Sequence, residues 1–268
     1  MVSQETWFSP LDWSSNIQMM LTMRVAGFFL AALSAWAPSP AMAQAATEPV
    51  LPRMPDGHPD FNGVWSGRGH ADMSMDTPGG LPFTDAGKAT FSDVKNQYDP
   101  TGFCLYPGVT RIVGSPYPTE FVQTPNRVVI LYEYMRTFRV IPTDGRAHGK
   151  DLNPNFFGES VGAWDGDTLV VDVKGFNEKS WLDPAGHPHS DALHLIERYR
   201  FTDANHIAHE VTVDDPKMYT KPWKSSMVFT RKPDWEIIEY SCDENNKDRD
   251  NHHFQPGPSF DPDRPRAR

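Results

Sequence analysis

The sequence predicts an all-β domain, an antiparallel up-and-down barrel of about nine strands with one short helix. From residue 110 onwards, short runs of β-branched and aromatic residues follow one another, and turn signals separate them. Proline accounts for 25 of 268 residues, close to twice the usual ~5%, and interrupts long helices. A barrel leaves no exposed strand edges, which suits consecutive strands joined by short turns; a two-sheet β-sandwich is the alternative.

The first predicted elements are a short strand and the single helix. Phe61 to Trp65 is a brief apolar run that follows a proline-rich leader. Thr84 to Gln97 is the helix candidate, because the Thr84 side chain can cap its N-terminus. Arg127 to Ile141 contains no Gly or Pro, so we expect one strand there. At about 3.3 Å per residue this strand would span roughly 50 Å, which requires a bend or a bulge within it.

The later strands are predicted as hairpins. Asp165-Gly166 is a strong signal for a two-residue turn between antiparallel strands. The predicted strands on either side of this turn and after it are Ser160–Trp164, Thr168–Val173, Leu193–Phe201, His206–Val213, Ser225–Arg231 and Glu236–Cys242.

Short motifs resemble two groups of known proteins. Gly63-x-Trp65 resembles the Gly-x-Trp signature of lipocalins and related calycin barrels, which implies a lipocalin-like barrel. A second set of motifs resembles a family of secreted bacterial β proteins over residues 59–246. This resemblance implies that the leader and the tail are peripheral, and it brings no activity. Its motifs are CLYPGVTR at 104–111, DGRAH at 144–148, GDTLVV at 166–171, HPHSD at 187–191, ERY at 197–199, DP at 215–216 and EYSC at 239–242.

The N-terminus predicts export. Val25 to Ala37 is an apolar run of 13 residues, shorter than the ~20 that cross a bilayer as a helix. Arg24 precedes this run, and Ala41-Met42-Ala43 follows it with the small-x-small pattern of a signal-peptidase site. A retained membrane anchor is the alternative. The predicted parts are a signal peptide at 1–43, a single β-barrel domain at 44–246 and a disordered tail at 247–268. Once the signal is removed we expect no membrane span and a periplasmic or secreted protein.

Export also favours a disulfide between the two cysteines, Cys104 and Cys242, since thiols pair in oxidising compartments. Two free buried thiols or a nucleophilic cysteine are the alternatives. The net charge of 25 − 35 = −10, with no Lys/Arg block, argues against a nucleic-acid partner. Neither a P-loop nor a dinucleotide fingerprint occurs, so no cofactor is expected, although a divalent metal is possible.

The densest set of chemically useful side chains lies on one long predicted loop, Lys174 to Ser190, and just after it. His187, His189 and His194 fall within eight residues, and histidine exchanges protons near neutral pH. We therefore predict these three histidines as catalytic. They are also the predicted ligands if a metal binds. The H-x-H pattern resembles the first half of a cupin metal motif, but a second half is not evident, so a cupin-like fold is a minor alternative. A polar loop without function is the remaining alternative.

Two carboxylates complete the predicted site. Alternation along the predicted strands places Glu197 and Glu133 on largely apolar faces, where desolvation makes a carboxyl a plausible general acid or base. An ion pair with Arg139 or Arg198, or exposure at a barrel mouth, is the structural alternative for each acid. The residues predicted to bind the substrate are Tyr132, Tyr134, Trp181 and Arg198.

These features predict an enzyme of the lyase, isomerase or hydrolase type that works without a cofactor. It would use histidine and carboxylate acid–base chemistry on a small apolar or aromatic molecule inside the barrel. The alternative is a lipocalin-like carrier that binds an apolar molecule without catalysis.

Overall fold

A computed structural model describes residues 50–244, 246 and 256–258. The predicted signal peptide lies outside the described residues, as does most of the predicted tail. Within that tail, the Gly257 amide donates a hydrogen bond to the Gln97 carbonyl at 2.6 Å. No helix in the described part of the chain is both long enough and apolar enough to cross a membrane.

Nine antiparallel strands form one sheet, as predicted. Their order across the sheet is β4-β3-β2-β1-β9-β8-β7-β6-β5, so the last strand lies beside the first. The strands are β1 (Gly63–Gly67), β2 (Thr119–Thr124), β3 (Arg127–Tyr132), β4 (Thr137–Pro142), β5 (Glu159–Asp165), β6 (Thr168–Lys174), β7 (His194–Asp203), β8 (His206–Asp214) and β9 (Trp223–Arg231).

The sheet curls into a nearly closed barrel, because its two end strands, β4 and β5, approach each other. A Cβ atom added to Gly162 on β5 would lie 2.8 Å from Ile141 Cγ2 and 3.3 Å from the Pro142 carbonyl on β4. Only glycine permits this close approach. Gly63 and Trp65, which form the Gly-x-Trp pattern, lie on β1, and the Trp65 ring is fully buried in the core.

The predicted helix is α1 (Asp85–Asp93), and the Thr84 side chain accepts a hydrogen bond from the Gly87 amide at 3.0 Å, which confirms the cap. A second helix, α2 (Val109–Val113), is a single short turn that packs its apolar side chains into the core. The remaining helical segments are 3₁₀ turns at Met73–Asp76, Val94–Asn96, Pro100–Phe103 and Tyr134–Arg136.

The single long strand predicted for residues 127–141 is wrong. The chain reverses after Tyr132 and returns as β4, with Met135 and Arg136 at φ values of +61° and +44°. No Gly or Pro marks this turn, so the sequence carried no signal for it. Glu133 therefore lies in a turn and not on a strand, and its Oε2 accepts a hydrogen bond from the Ile238 amide at 3.0 Å.

The strand predicted for residues 236–242 is also wrong. β9 already has β8 on one side and β1 on the other, so no strand edge is free beside it. Residues 232–244, which we call the C-terminal strap, instead run without regular structure past the β3–β4 turn. The disulfide between Cys104 and Cys242 anchors this strap and confirms the predicted pairing.

Candidate functional site

Glu197 lies inside the barrel, as the alternation along β7 predicted. Its neighbours two residues away, Leu195 and Tyr199, are buried with it, while Arg198 lies on the outer face. The Glu197 side chain has no exposed surface at all. A carboxylate at such a position requires partners, because an unpaired buried charge is costly.

Four hydrogen bonds converge on the Glu197 carboxylate. Arg139 on β4 donates from Nη2 to Oε2 at 2.6 Å and from Nη1 to Oε1 at 3.3 Å. The Tyr199 hydroxyl donates to Oε1 at 2.8 Å, and His209 Nε2 lies 3.2 Å from the same oxygen. Arg139 also donates to the Ser160 hydroxyl at 3.0 Å. Of the two arginines considered as partners, Arg139 is the one that pairs with Glu197.

The ion pair keeps Glu197 ionised. Burial alone would raise the pKa of Glu197, but the Arg139 guanidinium and the hydrogen bonds from His209 and Arg139 outweigh it and hold the pKa well below its usual range. Burial likewise opposes the charge on Arg139, yet Glu197 raises the pKa of Arg139 well above its ordinary value. Burial also raises the pKa of Tyr199, so its hydroxyl stays protonated and donates to the carboxylate.

Because Glu197 is ionised, it determines which ring nitrogen carries the proton when the His209 imidazole is neutral. An ionised carboxylate can only accept hydrogen bonds, so His209 Nε2 must carry a proton and donate it to Glu197. In the neutral ring the lone pair is then on Nδ1. That nitrogen has no hydrogen-bond partner among the residues that the structure describes. When the ring is neutral, His209 therefore carries an acceptor at Nδ1 with no partner among the described residues.

A cavity of about 410 Å³ lies at the barrel end that carries the β3–β4 turn, and His209 forms part of its wall. Its volume fits a small organic molecule. Residues that line it come from β8, β9, α2, the β3–β4 turn, the loop between β6 and β7, the segments after β1 and before β2, and the C-terminal strap. They include Arg68, His70, Met73, Arg111, Tyr117, Tyr134, Asp183, His209, Met227 and Tyr240.

The predicted loop connects β6 to β7, and part of it, residues 182–184, lines this cavity. His187 is buried and does not line the cavity, and its Nδ1 atom lies 2.6 Å from Asp183 Oδ2. The His187 ring stacks on Phe91 at a centroid distance of 4.5 Å. Asp183 reaches the cavity lining, whereas His187 packs against α1.

One potential metal-binding set exists among the described residues. Ligand atoms of Asp72, Asp183 and His187 all lie within 4.8 Å of one another. Asp183 Oδ2 already accepts hydrogen bonds from the Met73 amide at 2.7 Å and from His187. A metal would have to displace these hydrogen bonds. The bonds explain why the three side chains lie close together, because they join the loop to the segment after β1.

His189 lies in a separate buried environment. Its Nε2 is 2.9 Å from the Ser180 hydroxyl, and its Nδ1 is 3.2 Å from the Ser190 carbonyl. Burial lowers the pKa of His189, so the neutral ring donates from Nδ1 and accepts from Ser180. Trp181 and His189 border a small enclosed space of about 10 Å³, too small for a substrate.

His194 begins β7 on the outer face of the barrel. Its Nε2 lies 2.9 Å from Asp172 Oδ2, while His148 Nε2 lies 2.7 Å from Asp172 Oδ1. The three predicted histidines thus occupy three different environments, with a carboxylate beside His187, a hydroxyl beside His189 and a shared carboxylate beside His194. The structure does not bring their rings together.

The predicted substrate-binding residues are also dispersed. Tyr134 lines the cavity, and its ring stacks on Tyr117 at 5.0 Å. Tyr132 is buried inside the barrel near Arg139, and burial raises its pKa to about 12. Arg198 faces outwards and pairs with Asp165 at 2.8 Å.

Sequence reasoning did not single out His209. A signal for it was present, because β8 alternates Ile207, His209, Val211 and Val213 on its buried face, with one histidine among apolar residues. The pairing of His209 with Glu197 depends on the β7–β8 register, in which Tyr199 faces His209.

Comparison with protein-family models and with curated proteins returned no match to this chain.

Proposed function

We propose that this protein is an acid–base enzyme that acts on a small apolar or aromatic molecule in the cavity at the barrel end. His209 would take a proton from the substrate through Nδ1 and return it in a lyase, isomerase or hydrolase reaction. The observation that carries the proposal is the position of His209, which is hydrogen-bonded to the ionised Glu197 and forms part of the cavity wall.

The proposal divides the work among the buried side chains. Glu197 would hold the imidazole with Nδ1 unprotonated and would stabilise the imidazolium that forms on proton transfer. Arg139 would keep Glu197 from taking that proton itself, because it holds the pKa of the carboxyl low. Glu197 and Arg139 are thus positioning residues, and His209 is the residue that meets the substrate.

The test uses nitrobenzisoxazole, an aromatic probe whose ring opens when a base removes its C–H proton. The proton goes to the base, the N–O bond breaks, and a coloured nitrile phenolate forms. The protein should accelerate this reaction over buffer. His209→Gln should lower the rate at least about 100-fold, the lower range for loss of a general base, since glutamine can donate to Glu197 but has no basic nitrogen.

A matched control is His206→Gln on the same strand, because His206 is half-exposed and pairs with Asp203. This variant should keep the full rate. Both variants should unfold at the same denaturant concentration as the parent to within a small margin. Equal rates for His209→Gln and the parent would refute the proposal.

A second candidate function is a carrier, because the cavity wall contains Met73, Met227 and three tyrosines that suit an apolar ligand. Native mass spectrometry of protein purified from its host separates the two. A small molecule that copurifies intact and stays unchanged favours the carrier, while turnover of the probe that depends on His209 favours the enzyme.

A periplasmic or secreted location is part of the proposal. The Cys104–Cys242 bond supports it, since disulfides persist in oxidising compartments. Fractionation of the host should recover the protein outside the cytoplasm with this bond intact.

A further inference from the structure

We propose that the cavity binds a planar aromatic carboxylate, with a tyrosine cluster for the ring and Arg68 for the carboxylate. This inference rests on the proposed function, because it assigns a substrate class to the same cavity. It follows from two features of the wall, one apolar and planar, the other charged.

The planar feature is a cluster of three tyrosines, Tyr117, Tyr134 and Tyr240. Tyr117 and Tyr134 stack nearly parallel, with an interplanar angle of 8°. Tyr240 stands edge-on to both, with centroid distances of 5.3 Å to Tyr117 and 5.2 Å to Tyr134. All three line the cavity. Aromatic rings prefer offset-stacked or edge-to-face partners, so this wall favours a flat ring over a puckered one.

The hydroxyls of Tyr134 and Tyr240 are neutral donors and not anions. Burial raises the pKa of Tyr134 above its ordinary value, and burial together with the neighbouring tyrosines raises the pKa of Tyr240 to about 12. These two hydroxyls therefore add no negative charge to repel a carboxylate.

The charged feature appears when each ionisable side chain of the wall is matched to its partner. Arg111 is bound by both oxygens of Asp99, at 2.8 and 2.7 Å. His70 lies 3.1 Å from Asp76, and Asp183 is held by His187. Arg68 is exposed and has no ion-pair or hydrogen-bond partner among the described residues.

An unpartnered guanidinium beside a flat aromatic wall suits a ring that carries a carboxylate, because guanidinium and carboxylate form paired charge-assisted hydrogen bonds. His209 Nδ1 adds a third preference, since it accepts a proton and so favours a ligand with a weakly acidic O–H or C–H group. A hydroxylated aromatic acid combines all three features.

The experiment measures binding by calorimetry with three probes of similar size. Para-hydroxybenzoate has the ring, the hydroxyl and the carboxylate, para-cresol lacks the carboxylate, and trans-4-hydroxycyclohexanecarboxylate lacks only the flat ring. We expect para-hydroxybenzoate to bind about tenfold more tightly than either of the others, a ratio that corresponds to about 1.4 kcal/mol.

Two variants assign these preferences to residues. Arg68→Ala should remove the preference for para-hydroxybenzoate over para-cresol and leave the affinity for para-cresol unchanged. Tyr240→Leu should remove the preference for para-hydroxybenzoate over trans-4-hydroxycyclohexanecarboxylate. Arg127→Ala is the matched control, because Arg127 is an exposed arginine on β3 that does not line the cavity, and it should change nothing.

Equal affinities for the three probes, no measurable binding of para-hydroxybenzoate, or an unchanged preference in Arg68→Ala would each overturn the inference. The same titrations on His209→Gln separate it from the proposed function. Selective binding without turnover of nitrobenzisoxazole leaves the ligand class standing and removes the catalytic role. Turnover of nitrobenzisoxazole without selective binding removes the ligand class and leaves the catalytic role standing.

Discussion

The Arg139–Glu197 ion pair offers the sharpest test of how the barrel interior is held together. Both side chains are almost fully buried, with 2% and 0% of their surfaces exposed, and the shorter N–O distance is 2.6 Å. Arg139→Met removes the guanidinium but keeps an apolar side chain of similar length. Glu197 then keeps only Tyr199 and His209 as donors and stays buried without a compensating charge.

We expect Arg139→Met to lower the free energy of unfolding at neutral pH by about 3–5 kcal/mol, the usual cost of breaking a buried ion pair from one side. Adding Glu197→Gln should restore part of this loss. No charge is then buried alone, and the glutamine oxygen still accepts from Tyr199. The exposed pair of Arg198 and Asp165 is the control, and Arg198→Ala should cost less than about 1 kcal/mol.

Urea denaturation at several pH values measures these differences. In the parent, the pKa of Glu197 is lowered in the folded state, so its stabilising contribution is lost as pH falls below the ordinary value of 4.5. In Arg139→Met burial should raise the pKa of Glu197 instead. The difference in the free energy of unfolding between this variant and the parent should therefore become smaller in acid. A cost below 1 kcal/mol at neutral pH, or a double variant weaker than both single ones, would refute the reasoning.

Two further predictions concern the loop and the strap. Burial lowers the pKa of His189 below its ordinary value of 6.5, so the folded protein binds fewer protons than the unfolded chain. Stability should therefore fall as pH drops below 6.5, by up to about 1.4 kcal/mol per pH unit for this group. In urea denaturation His189→Gln should show a shallower slope, and an unchanged slope would contradict this assignment. Replacing Cys104 and Cys242 together by Ser opens a link between residues 138 positions apart, and loop-closure entropy puts the loss at about 5 kcal/mol. The same variant should bind para-hydroxybenzoate more weakly in calorimetry, because Tyr240 on the strap is no longer anchored; full affinity would show that the strap needs no anchor.

The barrel could be predicted from the sequence because the signals for strands and hairpins are local. Alternation along β7 and β8 predicts the strands, and the Asp165-Gly166 signal predicts a hairpin whose two turn residues are Gly166 and Asp167; neither requires knowledge of distant contacts. The β3–β4 turn was missed for a physical reason, since Met135 adopts a left-handed conformation that non-glycine residues rarely use. Such a turn is stabilised by its surroundings and not by its own residues.

The residues of the proposed site were harder to predict because they meet only in the folded barrel. The dense cluster around His187 and His189 drew attention, yet each ring has a partner within the same loop, Asp183 and Ser180. His209 stands alone in sequence, and its partner Glu197 is twelve positions away on the neighbouring strand. Density of titratable side chains along the chain therefore did not identify the residue beside the cavity.

The most direct test of the account is the position of the proton on the His209 ring, read from ¹⁵N chemical shifts of histidine-labelled protein in mildly alkaline buffer. Comparison with His209→Gln assigns the signals. We expect a protonated Nε2 and an unprotonated Nδ1, as the hydrogen bond to ionised Glu197 requires. A neutral His209 ring with its proton on Nδ1 would contradict the account, because Nδ1 would then have no lone pair to accept a proton.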